Sequence, residues 1–191
     1  MFGAVSFALQ NYINLYVIVP GLLVMVVLLW RMRHTRSLAY RVFFALFWVY
    51  LLVLLSLTVF SVRMYRSVTW DDRLEMLPLL LSRVNLAPLY FGRFPMLGYI
   101  FIDVVVNNLV TVPLGFGLAY LKPMTARKML LAGAATGLFF EIGQLVTSLL
   151  AATPARVTDI NDVIFNALGM MVGYGAFLLF RCWVPQKNGR N

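Results

Sequence analysis

An all-α, polytopic membrane helix bundle with about five transmembrane helices is the fold class this sequence predicts. Three observations lead there. Of 191 residues, 62% are apolar and 12% charged, against about 45 to 50% and about 25% in an ordinary soluble domain. Mean hydropathy is +0.85. The apolar residues also collect into stretches long enough to cross about 30 Å of hydrocarbon at about 1.5 Å per helical residue. A soluble domain of this length has no core large enough for that surface, so the excess faces lipid. Residues 1–191 read as a single integral-membrane domain.

The first span is expected from Tyr12 to Trp30. It is preceded by an uncharged segment and followed at once by Arg31, Arg33, His34 and Arg36. A cleaved signal has the reverse order, a basic leader and a small-residue cleavage site, so this is a start helix with its carboxyl end inside. The second span is expected from Val42 to Val62. The longest connection follows, Arg63 to Met96, with an apolar middle, Met76 to Leu81, interrupted by Pro78. Too short to span, that piece reads as interfacial or re-entrant. Three more spans are expected at Leu97 to Leu121, Met129 to Ala152 and Val163 to Phe180, before a short polar tail.

Five spans put the termini on opposite sides. With the amino end outside and the carboxyl end cytoplasmic, the inner segments hold Arg31, Arg33, Arg36, Arg41, Lys122, Arg127, Lys128, Arg181, Lys187 and Arg190 and no acid. The outer segments hold Arg63, Arg66, Arg73, Arg83, Arg93 and Arg156, diluted by Asp71, Asp72, Glu75, Asp159 and Asp162. All three lysines then fall inside, as the positive-inside rule requires. The net charge of +9 is thereby a topology signal, and nucleic acid is not expected as a partner.

An ionisable side chain at mid-helix costs roughly 2.5 to 3.5 kcal/mol on insertion scales, so each one needs a reason. Asp103, Asn107 and Thr111 recur every four residues and share a helical face. Glu141 and Gln144 lie three apart, with Gly133 and Gly137 continuing their face. Asp159, Asp162 and Asn166 open the last span, and Gly169 and Gly173 continue that stripe. In the expected orientation the polar residues occupy the outer half, and the glycines let the helix backbones close together in the inner half. The expectation is a polar cavity open to the outside and packed shut below, which does not suit a solute channel.

Simpler roles exist for several of these residues. Asp159 or Thr158 can cap the last helix, and Asp162 suits its first turn. Asn107, Asn108 and Gln144 can be interhelical glue, worth about 0.6 kcal/mol each. Arg156 is the candidate partner of a carboxylate or a phosphate, or else an arginine at headgroup level. Glu141 fits a simple role least, being in mid-span with no basic partner on its own helix. His34 reads as solvated, Cys182 as a passive boundary residue, and Trp30, Trp48, Trp70 and Trp183 as interfacial anchors.

No H-E-x-x-H, Gly-x-Ser-x-Gly, P-loop or Cys/His cluster occurs, so no metal site and no cofactor are expected. Carboxylates and amides remain, a set that can do general acid and base work, bind an amine or sugar, or hold a divalent cation through oxygen ligands. No residue can be singled out as catalytic on this pattern.

The order Asn85-Leu86-Ala87-Pro88, then Asn107 before Pro113-Leu114-Gly115, then Phe140-Glu141-Ile142-Gly143-Gln144, then Thr158-Asp159-Ile160-Asn161-Asp162-Val163 with Asn166, Gly169 and Gly173, resembles the VanZ-like family. That family takes its name from a membrane protein of glycopeptide-resistance gene clusters associated with teicoplanin resistance. The resemblance covers about residues 85–173. It implies a small multi-pass protein of the bacterial cell membrane with those polar positions forming its characteristic site. Together with the residues singled out above, the ligand-binding candidates are Asn85, Asp103, Asn107, Glu141, Gln144, Arg156, Asp159, Asp162 and Asn166, with Gly133, Gly137, Gly169 and Gly173 in helix packing. It supplies no reaction. The leading expectation is lowered susceptibility to teicoplanin-type glycopeptide antibiotics through an outward-facing polar site of the cell envelope. The partners would be membrane lipid and either a glycopeptide drug or a lipid-linked wall precursor. The alternatives are an enzyme that modifies a lipid-linked envelope precursor and a non-catalytic envelope scaffold.

Overall fold

The structure is a computed structural model that describes residues 15–60, 68–91, 97–154 and 157–183; the side chains of 15, 97–100 and 102–103 lie outside that description. The described residues form six helices: α1 (Leu15–Arg31), α2 (Leu38–Thr58), α3 (Trp70–Ser82), α4 (Leu97–Leu121), α5 (Ala126–Leu150) and α6 (Ile160–Trp183). Among them α2, α4, α5 and α6 are long and apolar enough to cross a membrane. Helices dominate for a physical reason: in hydrocarbon every backbone N–H and C=O must find its partner within the segment. The apolar helix α1 has 17 residues, and the expected start of its span at Tyr12 lies outside the described residues.

Hydropathy located the spans, and capping set their ends. Helix α2 starts four residues before the expected Val42, because the Ser37 hydroxyl accepts the Tyr40 N–H, a donor the helix itself leaves unused. The segment expected to be interfacial or re-entrant is the second half of α3. That helix begins further upstream, at a capping box in which Thr69 Oγ1 accepts from the Asp72 N–H and Asp72 accepts from the Thr69 N–H at 2.7 Å.

By contacts the chain divides into two compact units. The first comprises Met1–Ala87 with Phe139–Ile160, and the second Pro88–Leu138 with Asn161–Asn191. Helix α5 passes from the second into the first.

In the first unit α1 and α2 form an antiparallel hairpin. Its register is fixed where Trp48 Nε1 donates to the Gly21 carbonyl at 2.9 Å and the Leu52 side chain fills the space over Gly21. The end of α2 rests on α5: Thr147 Oγ1 donates to the Val59 carbonyl at 3.0 Å, and a Cβ on Gly143 would lie 2.8 Å from Val59 Cγ1. Helix α3 buries Leu80 and is tied to the far end of α5 by Arg73 Nε, which donates to the Leu150 carbonyl at 3.1 Å. Its Trp70, Leu74, Pro78 and Leu81 form an exposed stripe, the pattern of a helix lying at a membrane surface. Helix α5 ends in a 6→1 and 5→2 pair of bonds, Thr153 N–H to the Ser148 carbonyl and Ala152 N–H to the Leu149 carbonyl, with Ala152 in the left-handed region at φ 46°.

In the second unit glycines set the helix separation. The backbone of Met170 lies against Gly115, the Asn108 backbone and Thr111 Oγ1 against Gly169, and the Val112 and Phe116 backbones against Gly173. These pairs advance together along both chains, so α4 and α6 run parallel. Gly133 and Gly137 meet Ala167 and Val163, each Cα 2.8 and 2.7 Å from where a Cβ would stand, so α5 is antiparallel to α6. Away from these contacts Phe116 packs edge-on against Phe177 and Phe180.

Two predictions follow from this packing. Gly137→Ala is expected to lower stability by about 1 to 3 kcal/mol through overpacking, read as the unfolding midpoint in detergent. Gly175→Ala, where a Cβ meets nothing within 4 Å, leaves that midpoint at or slightly above the wild-type value. For α3, the Thr69 backbone N–H and then its hydroxyl hold the Asp72 carboxyl below the usual carboxylate range. Because the folded value lies below the unfolded one, the cap contributes fully at neutral pH and is lost as pH falls through the folded value. Amide exchange in the first turn of α3 is therefore expected to accelerate in acid, and Asp72→Asn to remove that pH dependence.

Candidate functional site

Each unit holds a polar set of its own. In the first unit the loop after α3 meets the segment before α6 in a single parallel β-bridge between Asn85 and Asp159. The Asn85 N–H donates to the Thr158 carbonyl at 2.8 Å, and the Ile160 N–H donates to the Asn85 carbonyl at 2.9 Å. Above the bridge, Asn85 Nδ2 donates to both Asp159 carboxylate oxygens, at 2.9 and 3.1 Å. Its Oδ1 accepts from the Ala87 N–H, so both ends of the amide are engaged.

Glu141 completes this set from mid-α5. Its Oε2 accepts the Asp159 N–H at 2.8 Å. Glu141, Asn85 and Asp159 are 3%, 5% and 7% exposed, and buried polar groups such as these need partners within the protein. In an ordinary capping box the acid that receives the N-cap N–H comes from the same helix, three residues on. Here another helix supplies it, and a carboxylate at a helix N-terminus is also favoured by the helix dipole. The glutamate in mid-span thereby has a backbone donor to meet. Its expected partner Arg156 lies outside the described residues, as does the side chain of Asp103. Gln144, one turn further along α5, is buried, and its backbone carbonyl accepts from Thr147 Oγ1 at 3.2 Å.

The second unit holds the other set. Asn107 Nδ2 on α4 donates to Asp162 Oδ1 on α6 at 2.7 Å. One turn beyond Asp162, Asn166 is 2% exposed, and its Oδ1 has no hydrogen-bond partner among the described residues. A buried acceptor in that condition costs about 1 to 3 kcal/mol, and it marks a position where a ligand donor or a water can bond. Asn108, by contrast, returns its Nδ2 to the Val104 carbonyl of its own helix.

Asn161 carries a role that its motif alone did not reveal. Its Oδ1 accepts the Leu89 N–H at 2.6 Å, and its Nδ2 donates to the Tyr90 carbonyl at 3.1 Å. Leu89 has φ 58°, a left-handed conformation costly for a residue with a Cβ, and the amide bonds on both sides hold it there. The available signal was an asparagine in the first turn of an apolar helix, whose amide offers one donor edge and one acceptor to a neighbouring loop. Ser148 was also missed; it is 1% exposed, and its Oγ has no partner among the described residues.

Two carboxylates and several amides in dry surroundings can bind hydroxyl, amide or amine groups strongly, because the low dielectric strengthens each bond. They can also exchange protons with such a group. As a structural check, Asn161→Ala is expected to cost about 1 to 3 kcal/mol and to open the Leu89–Tyr90 bond to protease, measured by unfolding in detergent and by mapping the cleavage site.

No curated protein and no solved structure matches this chain. A family model described as VanZ/LLP1 matches residues 47–181. That stretch takes in Asn85, Asn107, Glu141, the Asp159 to Asp162 segment and Asn166, so this multi-pass membrane protein belongs to the VanZ/LLP1 family.

Proposed function

We propose that this protein sits in the bacterial cell membrane, amino end outside, and lowers susceptibility to teicoplanin-type glycopeptide antibiotics by binding polar groups at the outer face. Family membership supports the envelope role. The charge distribution supports the orientation, since the short segments rich in Lys and Arg then lie inside. The observation that carries the binding role is the buried acceptor of Asn166, left without a partner one turn beyond the Asn107–Asp162 pair. A packed protein does not retain such a group in hydrocarbon without cause, and a hydroxyl or amide donor from a ligand supplies one. Wall precursors and lipid-anchored glycopeptides both carry such donors and reside at the outer face.

The test is susceptibility of a sensitive Gram-positive host that expresses the protein. Wild type is expected to raise the inhibitory concentration of teicoplanin selectively over vancomycin. Glu141→Gln retains an oxygen that can accept the Asp159 N–H, so membrane abundance is expected to hold while the phenotype is lost. Asn166→Leu removes an acceptor that no described residue uses, and the same outcome is expected. If both variants, at matched abundance, protect as well as wild type, the polar residues are packing elements and the binding role is wrong.

A further inference from the structure

The acids of the first unit follow the carboxyl end of α2, interspersed with Arg63, Arg66, Arg73 and Arg83, while the segment before α2 carries arginines and no acid. Asp71, Asp72 and Glu75 follow its carboxyl end, and Glu141 lies two residues from Gly143, which packs on Val59 at that same end. The other end carries Arg31, Arg33, Arg36 and Arg41, and the first acid in the whole sequence is Asp71. About 30 Å of helix separates the two groups, at about 1.5 Å per residue.

The arginine end is electrostatically incomplete in three ways. The register set by Gly21 against Trp48 and Leu52 brings Arg31, at the end of α1, level with Arg41 in the second turn of α2. Arg31 suits the negative end of its helix dipole, whereas Arg36 and Arg41 stand at the positive end of α2, the wrong place for a cation. Aromatic faces take part of the charge: the Arg33 guanidinium lies 4.3 Å from the Trp30 ring and that of Arg36 4.9 Å from the Tyr40 ring. Among the described residues no aromatic ring lies over Arg41 in that way. Its Nε is buried and has no hydrogen-bond partner among the described residues.

Four cations, a helix N-terminus with no acid in its first turn, and a buried guanidinium donor all ask for one anion, with oxygen acceptors, at the level where apolar helices end. We propose that the α1–α2 hairpin binds the phosphate-bearing headgroup of an anionic phospholipid, with Arg41 Nε donating to a phosphate oxygen and Arg31, Arg33 and Arg36 surrounding it. A planar guanidinium matches phosphate oxygens in pairs. The neighbouring Trp30 and Tyr40 suit the boundary between headgroup and acyl chain.

Full-length protein is extracted in mild detergent from phosphatidylcholine vesicles containing about 20 mol% phosphatidylglycerol, and the co-purifying lipid is quantified by mass spectrometry. Phosphatidylglycerol is expected to be enriched several-fold over its share of the vesicle. Arg41→Gln is expected to lower that enrichment about fivefold. Arg33→Gln with Arg36→Gln, a change confined to the exposed loop, acts in the same direction without disturbing helix packing. Lys122→Gln with Lys128→Gln removes as many charges elsewhere and is expected to leave the enrichment intact. Equal retention by wild type and the arginine variants overturns the site. Equal loss in the lysine variant also overturns it, by reducing the effect to net charge. Displacement of the lipid by millimolar inorganic phosphate makes a free anion the occupant and overturns the lipid assignment.

Discussion

The hydrogen bond from the Asp159 N–H to Glu141 is the constraint around which the first unit is arranged. A helix that starts inside an apolar environment exposes donors with no partner in its own first turn, and lipid supplies none. Glu141 meets the Asp159 N–H and the Asn85 carbonyl meets the Ile160 N–H. Once those two are fixed, the Asn85 side chain is placed to hold both oxygens of Asp159. The carboxylates are thus first a solution to a backbone problem. Any chemistry they perform is built on side chains already held rigid by that solution.

The second unit solves a different problem, that of holding helices together where water gives no hydrophobic drive between them. Close approach of backbones increases dispersion contacts and serves in its place. Gly115, Gly169 and Gly173 let α4 and α6 touch main chain to main chain, and Gly133 and Gly137 do the same for α5. The spacing of four residues keeps each pair on one face. Thr111, fully buried beside Gly169, returns its hydroxyl to the Asn107 carbonyl, so it adds volume without leaving a polar group unmet.

Much of this was legible in the sequence, and the parts that were not share a cause. Span positions come from side-chain hydropathy, and α2, α4, α5 and α6 lie over four of the expected apolar stretches; what set the start of α2 at Leu38 was the Ser37 cap. The glycine stripes were visible because small residues at fixed spacing have few other uses. The bond from the Asp159 N–H to Glu141 was not visible, since a backbone N–H has no letter in the sequence; Arg156, to which charge matching pointed, lies outside the described residues. The Asn161 clamp was hidden for the same reason: it acts on main-chain groups of Leu89 and Tyr90. The upstream start of α3 could have been read from Thr69-x-x-Asp72, but a box closed by aspartate, before a helix of mixed polarity, is a faint signal.

The bridge between Asn85 and Asp159 also bears on how such a chain can vary over time. It is one rung of sheet joining the loop after α3 to the loop before α6. Loops ordinarily accept insertions and deletions readily. Here adding or removing one residue on the bridging strands moves a different residue opposite Asp159 and turns alternate side chains to the other face. The amide would then miss the carboxylate, and the donor of Ile160 would lose its acceptor. Surface length polymorphism should therefore collect elsewhere in these connections, and the few residues flanking Asn85 and Asp159 should keep a fixed count even where their identities drift.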